Sequence, residues 1–353
     1  MLGAYRLLIG AASVLGFATA AIGAEELQRF SRSELHMGVE FEVVLYAKDA
    51  AAGEAAIGKA MARVAELDKT LSDYEADSEL SKLSETSVVT KDKSGPFPAV
   101  KVSDDLWTVL AESQAISGET DGAFDVTIGP LSKLWRRARR WKELPEADAL
   151  AAANAGVGYE FLQLDPAAHT ARLMHPNMRL DLGGIAKGFA ADEGVKAATA
   201  AGVSRVLVRA SGDIAAGDAP PGERGWRVGI APLNPDEPPQ RFVEIAKCAI
   251  STSGDARQHL VVNGRRYSHI IDPRTGECVS GRSSVTVIAP RGVVADGLAT
   301  AASVLGPEKA LSVSERFPGV ELLMVYESES GEQRTVESAG FRRFDAPLTS
   351  QTE

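Results

Sequence analysis

Cysteine is nearly absent: Cys248 and Cys278 are the only two in 353 residues. No CxxC pair and no Cys/His zinc spacing exists, which excludes a cysteine-built metal centre. The two thiols either close a disulfide, in an oxidising compartment, or are buried and free. Long apolar runs are also missing. The longest early one, 7–17, follows Arg6 and is too short to cross a bilayer comfortably. Small residues come next, at Ala18-Thr19-Ala20 and Ile22-Gly23-Ala24, so 1–24 reads as a secretory signal, with an uncleaved anchor as the alternative. No cysteine lies there to carry a lipid. The expectation is an exported, periplasmic protein without stable membrane insertion of the mature chain. Positive charge is scarce as well: the net charge of −10 argues against a nucleic-acid partner. The one dense basic run, "WRRARRWKE" at 135–143, reads as a solvated helix surface or as contact with an anionic ligand. GxSxG, GxGxxG and P-loop signatures are all lacking, which leaves no standard hydrolase elbow or nucleotide loop.

What is present is a mixture of periods. "MGVEFEVVLYAKD" alternates and predicts a strand, whereas "AAAGEAAIGKAMARVAELDKTLSDY" has helical spacing. "SDDLWTVLAESQAISGETDG" opens on a serine cap and predicts a second helix. "KSGPFPAV" is a Pro/Gly loop, "EFLQLD" a strand, and "HTARLMHPNMRLDLGG" a hairpin feeding a loop. "AKGFAADEGVKAATAAGV" is then a helix and "RVLVRAS" a buried strand. "WRVGIAPL", "RFVEIAKCAISTS", "HLVVNGRRYSHIID" and "SSVTVIAP" continue as strands, with Asn263-Gly264 a hairpin turn. A helix-rich stretch, "ADGLATAASVLGPEKALSVSERF", precedes the closing strands "VELLMVYES" and "RTVESAGF". The class is α+β, one domain over 30–345 with 346–353 as a flexible tail.

Several short stretches could carry chemistry. In "LDLGGIAKGFAAD" a strand ends at Asp181, Gly183 and Gly184 follow, and a helix opens near Ile185. Amides at such a start bind anions and Lys187 adds charge, although an ordinary junction has the same spacing. In "VVADGLATAASVLG", Asp296 and Thr300 share one helix face. Carboxylate plus hydroxyl, with a main-chain carbonyl, suits magnesium; an aspartate capping a helix start is the structural alternative. "SGDI" and "ISTSGDARQ" admit either a close ligand or a tight turn. Phe124 and Asp125 are ligand contacts, or an aromatic core residue beside a capping aspartate. Tyr74 stacks on a flat ring or simply packs. In "YSHIIDPRTG", His269 is a general base or an anion binder, and Asp272 orients it or caps the turn.

Taken in order, "YEADSELSKL", "GAFDVTIGPLSKLW", "LDLGGIAKGFAAD", "SGDIAAG", "STSGDARQ", "YSHIIDPRTG" and "ADGLATAASVLG" resemble the ApbE family, the FAD:protein FMN transferases. The likeness runs from "MGVEF" to "VELLMVYES". It implies an ApbE-like fold of mixed helices and largely antiparallel sheets, with two intertwined subdomains. It also implies a Mg²⁺-dependent enzyme that splits FAD and transfers FMN to a threonine or serine hydroxyl of an acceptor flavoprotein, releasing AMP. An FAD pyrophosphatase and a non-catalytic flavin-binding protein are the alternatives. By resemblance, Met37 and Tyr74 lie near the flavin; Ala123, Phe124, Asp125, Asp181 and Lys187 contact FAD; Ile270 or Ile271 borders adenine or flavin. Gly184 matches a metal position usually filled by alanine, where the main-chain carbonyl is the ligand. Asp296 and Thr300 match the side-chain metal ligands, with Ala299 where some members carry a second acid. His269 matches the catalytic histidine, and Asp272 supports its turn. Two departures stand out: Ser211-Gly212 replaces a Gly-Gly pair, and no lipobox cysteine is present.

Overall fold

Two neighbouring residues that accept positive φ, Met37 (48°) and Gly38 (73°), reverse the chain between β1 (Gln28–His36) and β2 (Val39–Ala47). Paired positive φ matches the right-handed twist of the flanking strands and starts the sheet. The computed structural model describes residues 26–89, 97–254 and 259–347. The signal reading at 1–24, much of the Pro/Gly loop and residues 255–258 of "STSGDARQ" lie outside the described residues.

After β2 the chain forms α1 (Ala50–Leu71), α2 (Glu79–Glu85), β3 (Val100–Lys101), α3 (Asp104–Glu119), α4 (Gly129–Trp141) and α5 (Ala147–Asn154). Asp49, Ser78 and Ser103 cap the first three of these helices with side-chain oxygens. There follow β4 (Leu162–Asp165), β5 (Thr170–Leu173), α6 (Ala186–Ala200), β6 (Val206–Ala210), β7 (Asp213–Ala216), β8 (Trp226–Gly229) and β9 (Phe242–Ile245). Then come β10 (Cys248–Gly254), β11 (His259–Val262), β12 (Arg265–Ser268), β13 (Ser283–Ala289), α7 (Gly292–Leu305), α8 (Pro307–Ser314), β14 (Glu321–Glu327) and β15 (Gln333–Glu337). "RFVEIAKCAISTS", read as one strand, is two: a turn with Lys247 at φ 53° separates β9 from β10. The hairpin expected within 169–184 instead pairs β5 backwards with β4.

Eight strands make the main sheet in the order β1-β2-β6-β7-β10-β13-β14-β15, every pair antiparallel. Its two faces alternate along each strand. Phe41, Val43 and Leu45 of β2 join Val206, Val208, Val285 and Val287 in a large core beneath α1, α6 and α7. Val44, Leu207 and Ile288 point the other way, against Trp226, Val243 and Phe341. A third cluster, Leu131, Trp135, Ala138, Leu260 and Ile271, fastens α4 to the β11–β12 hairpin. The fold is therefore α+β with antiparallel sheets. Cys248 belongs to the second cluster and Cys278 borders the third, and both are free thiols, so the disulfide alternative falls away. Burial pushes both up, Cys278 to about 12. At the C-terminal end the Ala346 N–H bonds Phe242 O (2.9 Å) and Arg227 donates to Pro347 O (3.2 Å), which ties down the first residues read as tail. Among the described residues, no helix is long and apolar enough to cross a membrane.

Candidate active site

The site begins where two helices touch through glycine. A Cβ on Gly188 of α6 would lie 2.1 Å from Gly292 O of α7, and one on Gly292 would lie 2.4 Å from Gly188 O. Only glycine permits that approach. Asp192, one turn further along α6, accepts from Gly292 N (2.7 Å) and Val293 N (3.1 Å), so α7 is capped from outside its own sequence. Burial pushes the Asp192 carboxyl up to about 6.

With α7 starting at Gly292, Asp296 is not its cap. It stands in the second turn of α7, buried, and faces α6. Its Oδ2 accepts from Gly188 N (3.1 Å) and from Lys187 Nζ (3.2 Å). The same ammonium lies 2.9 Å from Asp213 Oδ2 and donates to Gly183 O (3.0 Å). Asp213, at the start of β7, also accepts from the Ser251 hydroxyl. Two buried carboxylates thus share one cation. Burial, then the charge of Asp213, pushes Asp296 up to about 7. For Lys187 burial works downward, but the two carboxylates outweigh it and hold the ammonium above its ordinary value. Asp213 was not singled out from the sequence. A carboxylate opening a short strand behind "VLVRAS" was the available signal.

Thr300 lies one turn beyond Asp296. A Cβ on Gly184 would sit 2.9 Å from Thr300 Oγ1 and 3.4 Å from Phe124 Cε2, which brings the 181–187 loop, α7 and the 120–128 loop together. Glycine at 184 leaves that hydroxyl uncrowded. Asp296, Thr300 and a main-chain carbonyl at Gly184 would offer an all-oxygen donor set, and the carboxylate pair of Asp296 and Asp213 keeps one negative charge beyond what Lys187 neutralises. That combination fits a hard divalent cation. Among the described residues no group of three His, Cys, Asp or Glu could hold a metal, so water or substrate oxygens would have to complete the shell.

A second cluster adjoins the first through Asp181. Its Oδ1 accepts from Gly183 N (2.9 Å) and its Oδ2 from Arg136 (2.8 Å). Arg136 also binds the Asp73 carboxylate, and its guanidinium carbon sits 4.5 Å from the centre of the Tyr74 ring. Tyr74 is 75% exposed. Arg179 donates to Asp73 O. Burial and the nearby Asp181 push Asp73 up, against the pull of Arg136. The basic run therefore does more than the solvated surface expected of it. Leu131, Trp135 and Ala138 form the buried stripe of α4, Arg136 and Arg139 its half-buried flank, and Lys133, Arg137 and Arg140 its exposed side. Helical periodicity was the signal that separates them.

The 269–277 turn is held by α4 from the other side. Trp135 Nε1 donates to Gly276 O (2.9 Å). Both Asp272 oxygens are taken by Arg274, from its Nε (2.8 Å), Nη2 (2.7 Å) and main-chain N (3.0 Å). A Cβ on Gly122 would lie 3.8 Å from Arg274, so this turn rests on the 120–128 loop. His269 is half-buried beyond β12; Ile270 and Ile271 are buried, the latter among Leu131 and Trp135. Ala123 and Phe124 are buried, and Asp125 turns on itself, accepting from Thr127 N and Oγ1 (2.7 Å each). Burial pushes Asp125 up to about 6. Met37, at the hairpin tip, packs on the core near the end of α1, the helix that leads to Tyr74. Lys187 bonds Asp296, Gly184 packs against Thr300 and Phe124, and Asp181 joins them through Gly183 and reaches Tyr74 through Arg136. The turn bearing His269 reaches them through α4 and the 120–128 loop.

The model of the ApbE family matches residues 37–324. The chain belongs to the ApbE family. An "FAD:protein FMN transferase" of Klebsiella pneumoniae is 34% identical over 314 residues, 87% of each chain. One of Treponema pallidum is 33% identical over 320 residues, 86% of each. The structure of "Flavin Transferase ApbE from Vibrio cholerae" superposes with a TM-score of 0.78 at 30% identity, over 90% of this chain and all of that one. The ApbE protein of Thermotoga maritima also superposes at 0.78, with 26% identity.

Proposed function

We propose that this ApbE chain transfers FMN from FAD to a threonine or serine hydroxyl of an exported acceptor flavoprotein, in a magnesium-dependent reaction that releases AMP. The observation that carries the reading is the buried Asp296–Lys187–Asp213 group beside Thr300 and Gly184, linked through Asp181 and Arg136 to an exposed aromatic ring. Family membership and the names of the relatives support the flavin chemistry. The signal-like 1–24 segment supports the periplasm as its place.

Tyr74 offers its open face to a flat ring system, and Lys187, held between Asp213 and Asp296, would turn its charge towards the diphosphate once magnesium takes up Asp296. Magnesium, held by Asp296, Thr300 and the Gly184 carbonyl, would neutralise charge on the phosphate oxygens. His269 takes the proton of the incoming hydroxyl. That oxygen bonds to the FMN phosphorus, the bond from this phosphorus to the bridging oxygen breaks, and AMP leaves with the bridging oxygen. Asp272, saturated by Arg274, keeps the histidine's turn in shape. In-line alignment supplies the rest of the acceleration.

The test is a product balance. With FAD, Mg²⁺ and an acceptor bearing the target hydroxyl, AMP should appear in step with acceptor-bound flavin and without free FMN. Equal free FMN and AMP beside an unmodified acceptor would make water the nucleophile, and unconsumed FAD would leave only a binding protein.

A further inference from the structure

The proposed reaction needs the flavin held by residues far apart in the chain, and one side chain ties two of them together. Arg136 reaches Asp181 with one nitrogen (2.8 Å), the Asp73 carboxylate with the other, and its guanidinium carbon lies over the Tyr74 ring, 4.5 Å from its centre. Tyr74 is otherwise a surface ring, 75% exposed, on a segment with no regular structure. Left alone, such a side chain samples several rotamers, and a ligand must freeze them on binding. Here the ring is backed on one face by a guanidinium whose own position is fixed three ways. Trp135, its neighbour on α4, is buried in the satellite cluster and bonds Gly276 O; two carboxylates hold its fork; and Arg179 pins the main chain at Asp73.

We propose, on the reading that this chain binds FAD, that Arg136 is a positioning residue that locks Tyr74 and Asp181 into one preformed flavin-binding unit. The guanidinium is suited to this as an ammonium is not. It is planar, so it stacks, and it is forked, so it bridges two carboxylates while stacked. Tyr74 is left with a single open face, which admits a planar ring from the solvent side only.

The experiment is FAD binding to the whole protein, followed by flavin absorbance and fluorescence, in a cycle of Arg136→Lys and Tyr74→Ala. Lysine keeps a positive charge beside Asp73 and Asp181 and removes the stack and the fork. Arg136→Lys should raise the Kd for FAD by about 3- to 10-fold, the scale of one immobilised side chain, and shrink the flavin's spectral change on binding. In the Tyr74→Ala background the same change should raise Kd by less than about 2-fold, because the ring it acts through is gone. An Arg136→Lys protein with wild-type Kd and spectrum would overturn the proposal. So would an equal loss in both backgrounds, which is the mark of a merely structural arginine. If Arg136→Lys does not fold, Asp73→Asn releases one prong and should weaken FAD binding by about 2-fold in the Tyr74 background alone. Wild-type protein that binds no FAD would sink the flavin reading itself, and this proposal with it; binding that ignores Arg136 would sink only the proposal.

Discussion

Replacing Asp296 by asparagine should make the metal-free protein more stable and at the same time blind to magnesium. In the folded chain Asp296 is buried beside a second carboxylate and is held at about 7, against an ordinary 3.8. The folded state therefore binds its proton more tightly than the unfolded state, and wild-type stability falls as pH rises from about 4 to about 7. At pH 8 the full cost is on the order of 4 kcal/mol. Asparagine is never ionised, and one oxygen, at the place of Oδ2, can keep both the Gly188 N–H (3.1 Å) and the nearer Lys187 contact (3.2 Å). Discounting for the charge Lys187 then shares with Asp213 alone, we expect a gain of about 2 kcal/mol in EDTA at pH 8, a rise in Tm of about 3–5 °C. The gain should vanish below about pH 4, where both proteins are neutral at this position. Magnesium at a hundred times its Kd should stabilise wild type by about 2.7 kcal/mol and the variant hardly at all. The order of stability thus reverses between EDTA and Mg²⁺, which thermal melts in the two buffers would show. A variant less stable than wild type in EDTA at pH 8, or one stabilised equally by Mg²⁺, would refute the electrostatic account of the site.

Gly188→Ala, whose Cβ would meet Gly292 O at 2.1 Å, should cost about 3 kcal/mol by forcing α6 and α7 apart; Gly58→Ala, with open space around it, should be neutral or slightly stabilising in the same denaturant titration. Asp192 is raised to about 6, so wild type loses stability as pH rises from about 4 to about 6; Asp192→Asn should remove that fall, about 3 kcal/mol, and equal stability changes between pH 4 and pH 7 would contradict it. His269→Ala should slow transfer at least about 100-fold while FAD binding stays within a few-fold of wild type; lost binding would instead assign the histidine a structural part in its turn.

Much of this was legible because local pattern and tertiary demand agree. The Asn263-Gly264 turn, the alternation of β2 and the α1 stripe are local, and they stand where the sequence puts them. What the sequence hides is cross-chain. Asp296 stands inside α7 because the helix starts at Gly292, where Asp192, far away in the chain, accepts the first N–H groups. The expected strand end at Asp181 is a single bridge between Ile128 and Arg179, since that segment is held by loop contacts and not by a ladder. Arg136 looks like its exposed neighbours until the helix is wound, and Asp213 looks like a turn residue until Lys187 reaches it from α6. Charges that find partners across the fold leave little trace in spacing.

The proposal that a hydroxyl of another protein receives the FMN has a direct test. Intact-mass measurement of an acceptor with a target threonine, after incubation with this protein, FAD and Mg²⁺, tests it most directly. The threonine should gain one FMN phosphoryl unit, and the gain should be lost with EDTA, with Asp296→Asn and with threonine-to-alanine replacement in the acceptor. An unmodified acceptor in the presence of consumed FAD would contradict it.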